Sequence, residues 1–462
     1  MSTTSADLLL RHGHIVTMNA ERWILPDGAL AVAKGRIVGV GPDREIAPRV
    51  DAATTRDLGG AIVHPGFIDA HAHTGMYLVR GMLPESREFG IVEYPFSSTR
   101  TREEEYLSAL LACMEMVASG TTLYADTGQS FALEATVEAI ETVGMRGIPG
   151  YFVADERIPQ DPHYDRYFSP TSSVEECLAK LEAQIRRYPF HGEGRVRCVA
   201  TLQGSGTASD ALLMGAKALA DRERVPMIMH QSWSAGEVVK CEARHGKRPV
   251  EHFAELGLLG SNLTLVHMIQ ANEREIALVR EAGASVVHCP NAAIRRGMGA
   301  IRLGRFPEML RAGIPVGLGS DGWSGKHDVA RQAYLAASLF REVRGEVPVI
   351  TAETALEMAT VHGARALGLE DEVGSLDLGK RADLVIHRVD WPGPLLEDPV
   401  PNLVYYAQSR TVDTVLVDGE AILAEGRFTR FEAREAISRI NRAATLREEQ
   451  IQVRGGRWPL KR

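Results

Sequence analysis

Ala61-Ile-Val-His-Pro-Gly-Phe-Ile-Asp-Ala-His-Ala-His-Thr74 is an apolar run that ends in two histidines one residue apart, His71 and His73. Side chains of a strand alternate between its faces, so residues at i and i+2 leave the same side. Read as a strand over 67–73, the run sends both imidazoles out near its C-terminal end, where one metal ion can meet both. A His-x-His pair says little by itself in a chain with 15 histidines, and His12-Gly13-His14 is read as an uninformative second case. The company of the first pair decides: His230, His267, His288 and Asp321 each close a later apolar run.

Outward from this stretch the chain has two rhythms. Before it, apolar and β-branched runs at 8–10, 15–17, 29–32 and 36–40 are punctuated by Gly13, Gly28, Gly35 and Gly41, an all-β pattern. After it, helical stretches over 101–119, 133–143, 174–187, 210–222, 249–256, 272–282 and 306–311 alternate with short apolar runs over 121–126, 146–152, 196–202, 226–230, 263–267, 285–288 and 315–321. With the opening strand this makes eight strands, which predicts a (β/α)8 TIM-like barrel over 61–370. An open doubly wound sheet competes, but no Gly-x-Gly-x-x-Gly turn follows the first strand. Helices are expected around 330–343 and 352–367. Strands then return at 382–387 and 411–417, separated by the proline-rich 391–401. The simplest account pairs 371–428 with 1–60 in one small β-domain flanking the barrel. Residues 429–462 read as a charged helical extension or subunit contact.

Composition narrows the function class. The 462 residues carry a formal charge of −8, with 45% hydrophobic and 24% charged residues, so no nucleic-acid partner is expected. No apolar run is long enough for a membrane span, and none is expected as a partner. The N-terminus lacks the pattern of a secretory signal, and the five scattered cysteines read as reduced thiols, which together point to the cytoplasm.

His71, His73, His230, His267 and Asp321 all sit at C-terminal ends of predicted barrel strands, the face on which barrel enzymes carry their sites. Imidazoles with a carboxylate suit one borderline divalent ion: zinc, cobalt, iron or manganese. Such an ion lowers the pKa of a bound water toward about 7, and Asp321 is the candidate to take its proton. Met76, Met82, Tyr94, Phe96, Met298, Trp233 and Trp323 are candidate pocket walls, the two tryptophans because each follows a proposed site residue. Such walls would select a small, neutral, apolar substrate.

The chain resembles the amidohydrolase superfamily, in the branch of chlorotriazine hydrolases and cytosine or guanine deaminases. The resemblance rests on Pro65-Gly-Phe-Ile-Asp-Ala-His71-Ala-His73, Gly120-Thr121-Thr122, His230, His267, His288-Cys-Pro290, Gly319-Ser-Asp321-Gly322, Gly374-Ser-Leu376 and Gly379-Lys-Arg-Ala-Asp383-Leu, in that order. It implies one metal held by His71, His73, His230 and Asp321, with His267 beside it. It implies a composite β-sandwich built from both chain ends, and a homo-oligomer, dimer or tetramer. His288 and Asn291, in the loop after the seventh strand, join the substrate-contact set with Trp233, Trp323, Met76, Met82, Phe96 and Met298.

Two departures shape the expected reaction. The family's deaminases place a Glu three residues after the histidine matched by His230, to shuttle protons to a ring nitrogen; here that position is Trp233. The binuclear members use a Lys at the end of the fourth strand, and 199–203 has none. The resemblance therefore looks closest to molinate-type thiocarbamate hydrolases and phenylurea hydrolases, enzymes of herbicide degradation. The expected reaction is hydrolysis of a carbamoyl-type bond of a small apolar molecule. The alternative is an aminohydrolase or chlorohydrolase acting on a nitrogen heterocycle such as a triazine or pyrimidine.

Overall fold

The computed structural model describes residues 3–82, 90–156, 172–322, 325–390, 398–407 and 409–451. Trp323, the side chain of Tyr94 and most of the proline-rich stretch lie outside the described residues.

Eight parallel strands occupy the middle of the chain: β6 (Phe67–Ala72), β7 (Thr121–Asp126), β8 (Arg146–Ile148), β9 (Ala200–Leu202), β10 (Met227–Gln231), β11 (Leu263–His267), β12 (Ser285–His288) and β13 (Val316–Leu318). They form a run of three, β6-β7-β8, and a run of five, β13-β12-β11-β10-β9. A parallel bridge, Gly147 to Val196, links the runs on one side. On the other, the Asp321 N–H donates to the His71 carbonyl at 2.9 Å. The chain is thus an α/β protein of TIM-barrel-like fold. The predicted strands at 146–152 and 315–321 come out short for local reasons. Pro149 offers no N–H for a further ladder bond. Past Leu318 the chain turns at once, and Asp321 has φ 48°.

The helices after these strands bury their apolar faces on them. They are α1 (Arg102–Ala118), α2 (Leu133–Val143), α3 (Val174–Arg187), α4 (Asp210–Glu223), α5 (Ala235–His245), α6 (Pro249–Glu255), α7 (Glu273–Ala282), α8 (Pro290–Arg296), α9 (Phe306–Arg311) and α10 (Val329–Arg344). Helix α1 starts where its sequence says: Thr101 accepts from Glu104 N while Glu104 reaches back, a capping box. Helix α5 was not expected, because Ala235-Gly236 is a poor opening turn; Ser234 caps it on Glu237 N. The single helix expected over 352–367 is two, α11 (Ala352–Ala359) and α12 (Val361–Ala366), separated at Thr360, whose hydroxyl bonds the Leu356 carbonyl.

The two chain ends share one nine-stranded sheet: β1 (Thr4–Val16), β2 (Ile24–Ala33), β3 (Arg36–Pro42), β4 (Val50–Asp57), β5 (Ile62–Pro65), β14 (Leu384–His387), β15 (Val412–Val417), β16 (Glu420–Ala424) and β17 (Arg427–Phe428). The joint is β5, parallel to β1 and antiparallel to β14. Buried ion pairs fasten this sheet to the barrel strands. Arg146 donates from Nε and Nη2 to Asp383 at 2.6 and 3.1 Å, both side chains at most 4% exposed. Glu372 takes Arg197 at 2.7 Å and Arg381 at 3.1 Å. The last helix, α13 (Ala433–Ile451), is not a free extension: Arg439 and Arg447 pair with Glu103 and Glu104 of α1.

Candidate metal centre

Five side chains meet at the C-terminal ends of the barrel strands. His71 and His73 leave β6 together, their ring centroids 4.6 Å apart. His230 ends 3.2 Å from His73 between Nε2 atoms, and its ring centroid lies 4.8 Å from that of His71. Asp321 Oδ1 is 3.5 Å from His71 Nε2 and 3.2 Å from His73 Nε2. The His267 ring stacks 5.3 Å from His230 and stands 5.6 Å from His71. Donor atoms of His71, His73 and His230, and of His71, His267 and Asp321, each fall within 4.8 Å of one another. The His-x-His alternation and four separate strand ends thus converge on one point.

Close backbone approach makes this possible. A Cβ on Gly319 would lie 2.8 Å from His71 Cβ and 2.9 Å from Cys289 Sγ, so only glycine lets the chain leaving β13 lie against β6. His267 and Asp321 both adopt left-handed backbone, φ 80° and 48°. For residues other than glycine this costs about 1–3 kcal/mol each and is found where surrounding structure holds a functional group in place.

The donor set fits a divalent ion. Both ring nitrogens of His71, Nδ1 of His73 and His267, and both Asp321 oxygens are buried without a hydrogen-bond partner. Buried polar atoms are nearly always satisfied, so a group of orphans aimed at one point asks for a ligand. The His230 Nδ1–H donates to the Gln203 carbonyl at 2.6 Å, which leaves Nε2 free to ligate. Burial keeps the rings in the neutral, ligating form: His73 is pushed down to about 4, His230 to about 3, and His71 and His267 also fall. Burial pushes the Asp321 carboxyl up, but the Arg296 guanidinium 3.8 Å away and the neighbouring imidazoles outweigh it and hold Asp321 well below the usual carboxylate range.

Arg296 and Asp126 are two site residues that sequence reading missed. Asp126 ends β7 with Oδ1 4.0 Å from His73 Nδ1, and burial pushes its pKa up to about 7. Its position at a strand end was the available signal. Arg296, at the end of α8, carried none, because its approach to Asp321 depends on how α8 packs.

The expected substrate contacts divide. Asn291 lines a cavity of about 470 Å³ with Tyr77, Arg80, Glu115, Ile294, Arg295, Lys326 and Arg331. That lining carries both signs of charge: Arg80 donates to Glu115 at 3.0 Å, and Lys326 pairs with Asp328 at 2.9 Å. His288 stands outside the cluster: its ring stacks on Phe306 at 3.9 Å and faces Phe340 at 5.7 Å. Strand alternation explains this, since Cys289, the next residue, is the one facing Gly319 and His71. Met76, Met82 and Phe96 are buried in an apolar cluster with Leu107, Leu110 and Ile440, so they serve the packing of α1 and α13. Met298 packs at the edge of the main core, and Trp233 is 45% exposed. Behind Trp233, Glu237 accepts from the Trp233 N–H at 2.8 Å and from Ser205 at 3.3 Å, so it braces the turn after His230. The decoy pair lies elsewhere: His12 bonds Asp27 in the terminal sheet.

The amidohydrolase family pattern matches residues 62–422. A 5-methylthioadenosine/S-adenosylhomocysteine deaminase from Syntrophobacter fumaroxidans is 33% identical, covering 95% of this chain and 98% of the relative. One from Nitratidesulfovibrio vulgaris (strain Miyazaki F) is 32% identical, covering 93% and 95%. Among solved structures, an adenosine deaminase from Xanthomonas campestris with bound zinc superposes with TM-score 0.85 at 28% identity, covering 97% and 99%. The atrazine chlorohydrolase of Arthrobacter aurescens TC1, complexed with zinc, gives 0.83 at 21% identity, covering 95% and 100%, a likeness of fold alone. These curated relatives are nucleoside deaminases. They overturn the expected kinship with molinate and phenylurea hydrolases, which had rested on the overall pattern and on Trp233 standing where the deaminases carry Glu.

Proposed function

The chain belongs to the amidohydrolase family, and from that premise we propose that it is a zinc-dependent aminohydrolase that removes an exocyclic amino group from a purine nucleoside of the adenosine type. The observation that carries the reading is the His71, His73, His230, His267, Asp321 cluster in a chain this similar to nucleoside deaminases over its full length. His71, His73, His230 and Asp321 would hold the ion, whose chemistry is to make water acidic enough to attack at neutral pH. Asp321, ionised and buried, accepts the proton of the attacking water and returns it to the departing amine, so that ammonia leaves as the C–N bond breaks. His267 faces the same point and steadies the charge growing on the attacked ring.

Trp233 favours a second reading, carbamoyl hydrolysis of a thiocarbamate or phenylurea, because the family's proton donor to a ring nitrogen is absent from that position. The experiment is ammonia release from adenosine, 5′-methylthioadenosine and S-adenosylhomocysteine by zinc-loaded protein, beside one thiocarbamate and one phenylurea. Ammonia from a nucleoside is expected. Carbamoyl cleavage with no ammonia from any nucleoside would replace the first reading by the second.

The same reading takes the eight strands as a closed barrel over 61–370 and the terminal sheet as the sandwich of 1–60 and 371–428. What supports this is the hydrogen bonding between the two strand runs and the sharing of one sheet by both chain ends. It also takes the protein to be a cytoplasmic homo-oligomer, which sedimentation of the purified protein and fractionation of cells would test.

A further inference from the structure

We propose that Asp210, His245 and His252 form a second site for a divalent transition metal of the zinc class, outside the barrel mouth. Asp210 is the first residue of α4, His245 the last of α5, and His252 lies in α6. The chain reverses at Gly246, φ 69°, which brings two histidines seven residues apart into contact. Their rings stack with centroids 3.8 Å apart at 24°. The Asp210 carboxylate faces both: Oδ1 is 2.9 Å from His252 Nε2 and Oδ2 is 3.9 Å from His245 Nδ1. One donor atom from each residue falls within 4.8 Å of the other two.

A hydrogen bond between His252 and Asp210 would account for that pair alone. It does not account for His245, which turns its Nδ1 toward the second oxygen. The neutral imidazole is the ligating form. Burial and the neighbouring His252 ring lower the His245 pKa accordingly. Two imidazoles and a carboxylate match the donor preference of zinc, nickel or copper. Donors around a tetrahedral zinc stand about 3.3 Å apart; the Asp210–His252 pair already lies at 2.9 Å, and the His245 ring has to turn out of the stack to bring its Nδ1 to the same ion. Ion access is open, because side-chain exposure is 19% for His245, 11% for His252 and 39% for Asp210. A bound ion would tie three helices together, among them α5, which follows the Trp233 turn directly.

The test counts metal rather than turnover, so it is independent of the substrate. Chelator-stripped protein is titrated with zinc chloride and bound zinc is measured after desalting. Two equivalents are expected for wild type, and one each for His71→Ala/His73→Ala and for His245→Ala/His252→Ala. Asp210→Asn, which keeps a hydrogen-bonding oxygen but loses the charge, should weaken the second equivalent tenfold or more. Zinc should also raise the melting temperature of His71→Ala/His73→Ala, and no longer do so once His245→Ala is added. If the double histidine variant does not fold, His245→Ala alone decides. A single equivalent in wild type, or a second equivalent that survives His245→Ala with undiminished affinity, overturns the proposal.

Discussion

Replacing Asp321 with Asn changes one oxygen for nitrogen at a fully buried position and removes the only carboxylate among the four proposed ligands. Two effects follow, and the geometry separates them. The first is chemical. A positioned proton acceptor contributes about 10²–10⁴-fold, and at about 1.4 kcal/mol per decade this raises the barrier by about 3–5 kcal/mol. The second is structural. Arg296 Nη1 lies 3.8 Å from Asp321 Oδ2 with its own side chain only 18% exposed. At an effective dielectric constant near 20, such a contact is worth about 4 kcal/mol before desolvation is counted. Asp321→Asn removes that attraction, so the variant should unfold earlier in urea. Arg296→Met should cost less stability in the Asp321→Asn chain than in wild type, and should not recover kcat. The assays are kcat/KM for the best nucleoside, zinc content, and urea midpoints for wild type, both single variants and the double. The reasoning fails if Asp321→Asn with zinc bound keeps more than a tenth of wild-type kcat/KM, or if Arg296→Met restores turnover.

Stripping with a chelator should abolish turnover, and adding back zinc or cobalt should restore it; full turnover in protein shown to be metal-free would end the proposed mechanism. Trp233→Glu puts an acid where the family's deaminases carry one, and should raise kcat/KM for nucleoside deamination by about 10²-fold or more; an unchanged rate would show that another group already protonates the ring. Arg146→Met strands Asp383 in a buried pair, which costs about 3–5 kcal/mol, whereas Arg146→Met with Asp383→Leu should recover most of it; equal urea midpoints for wild type and Arg146→Met would refute this. Burial pushes the Glu372 carboxyl up, but Arg197 and Arg381 outweigh it and hold it down at about 2. Its contribution to stability is therefore complete above the ordinary value of 4.5 and fades as pH falls toward 2. The stability difference between wild type and Glu372→Gln should shrink across that window, and a constant difference would show that the pair does not titrate there.

Periodicity and strand-end chemistry were enough to read the alternating fold and the five-residue cluster from sequence. Both depend on local rules: side chains alternate along a strand, helices open at caps such as Thr101, and a parallel α/β fold gathers its strand ends on one face. The three-residue strands β8 and β13 were overextended, because a proline or a left-handed residue ends a ladder without changing the apolar pattern around it. Only the folded chain could decide which side of β12 His288 takes, and it stacks on Phe306 while Cys289 faces the site. Packing likewise turned Met76, Met82 and Phe96 into core, brought Arg296 to Asp321, and set Arg80 and Glu115 together on the wall of the Asn291 cavity. His245 and His252 met Asp210 for the same reason. Such contacts depend on helix packing between segments distant in sequence, and no rule of spacing along one chain encodes them.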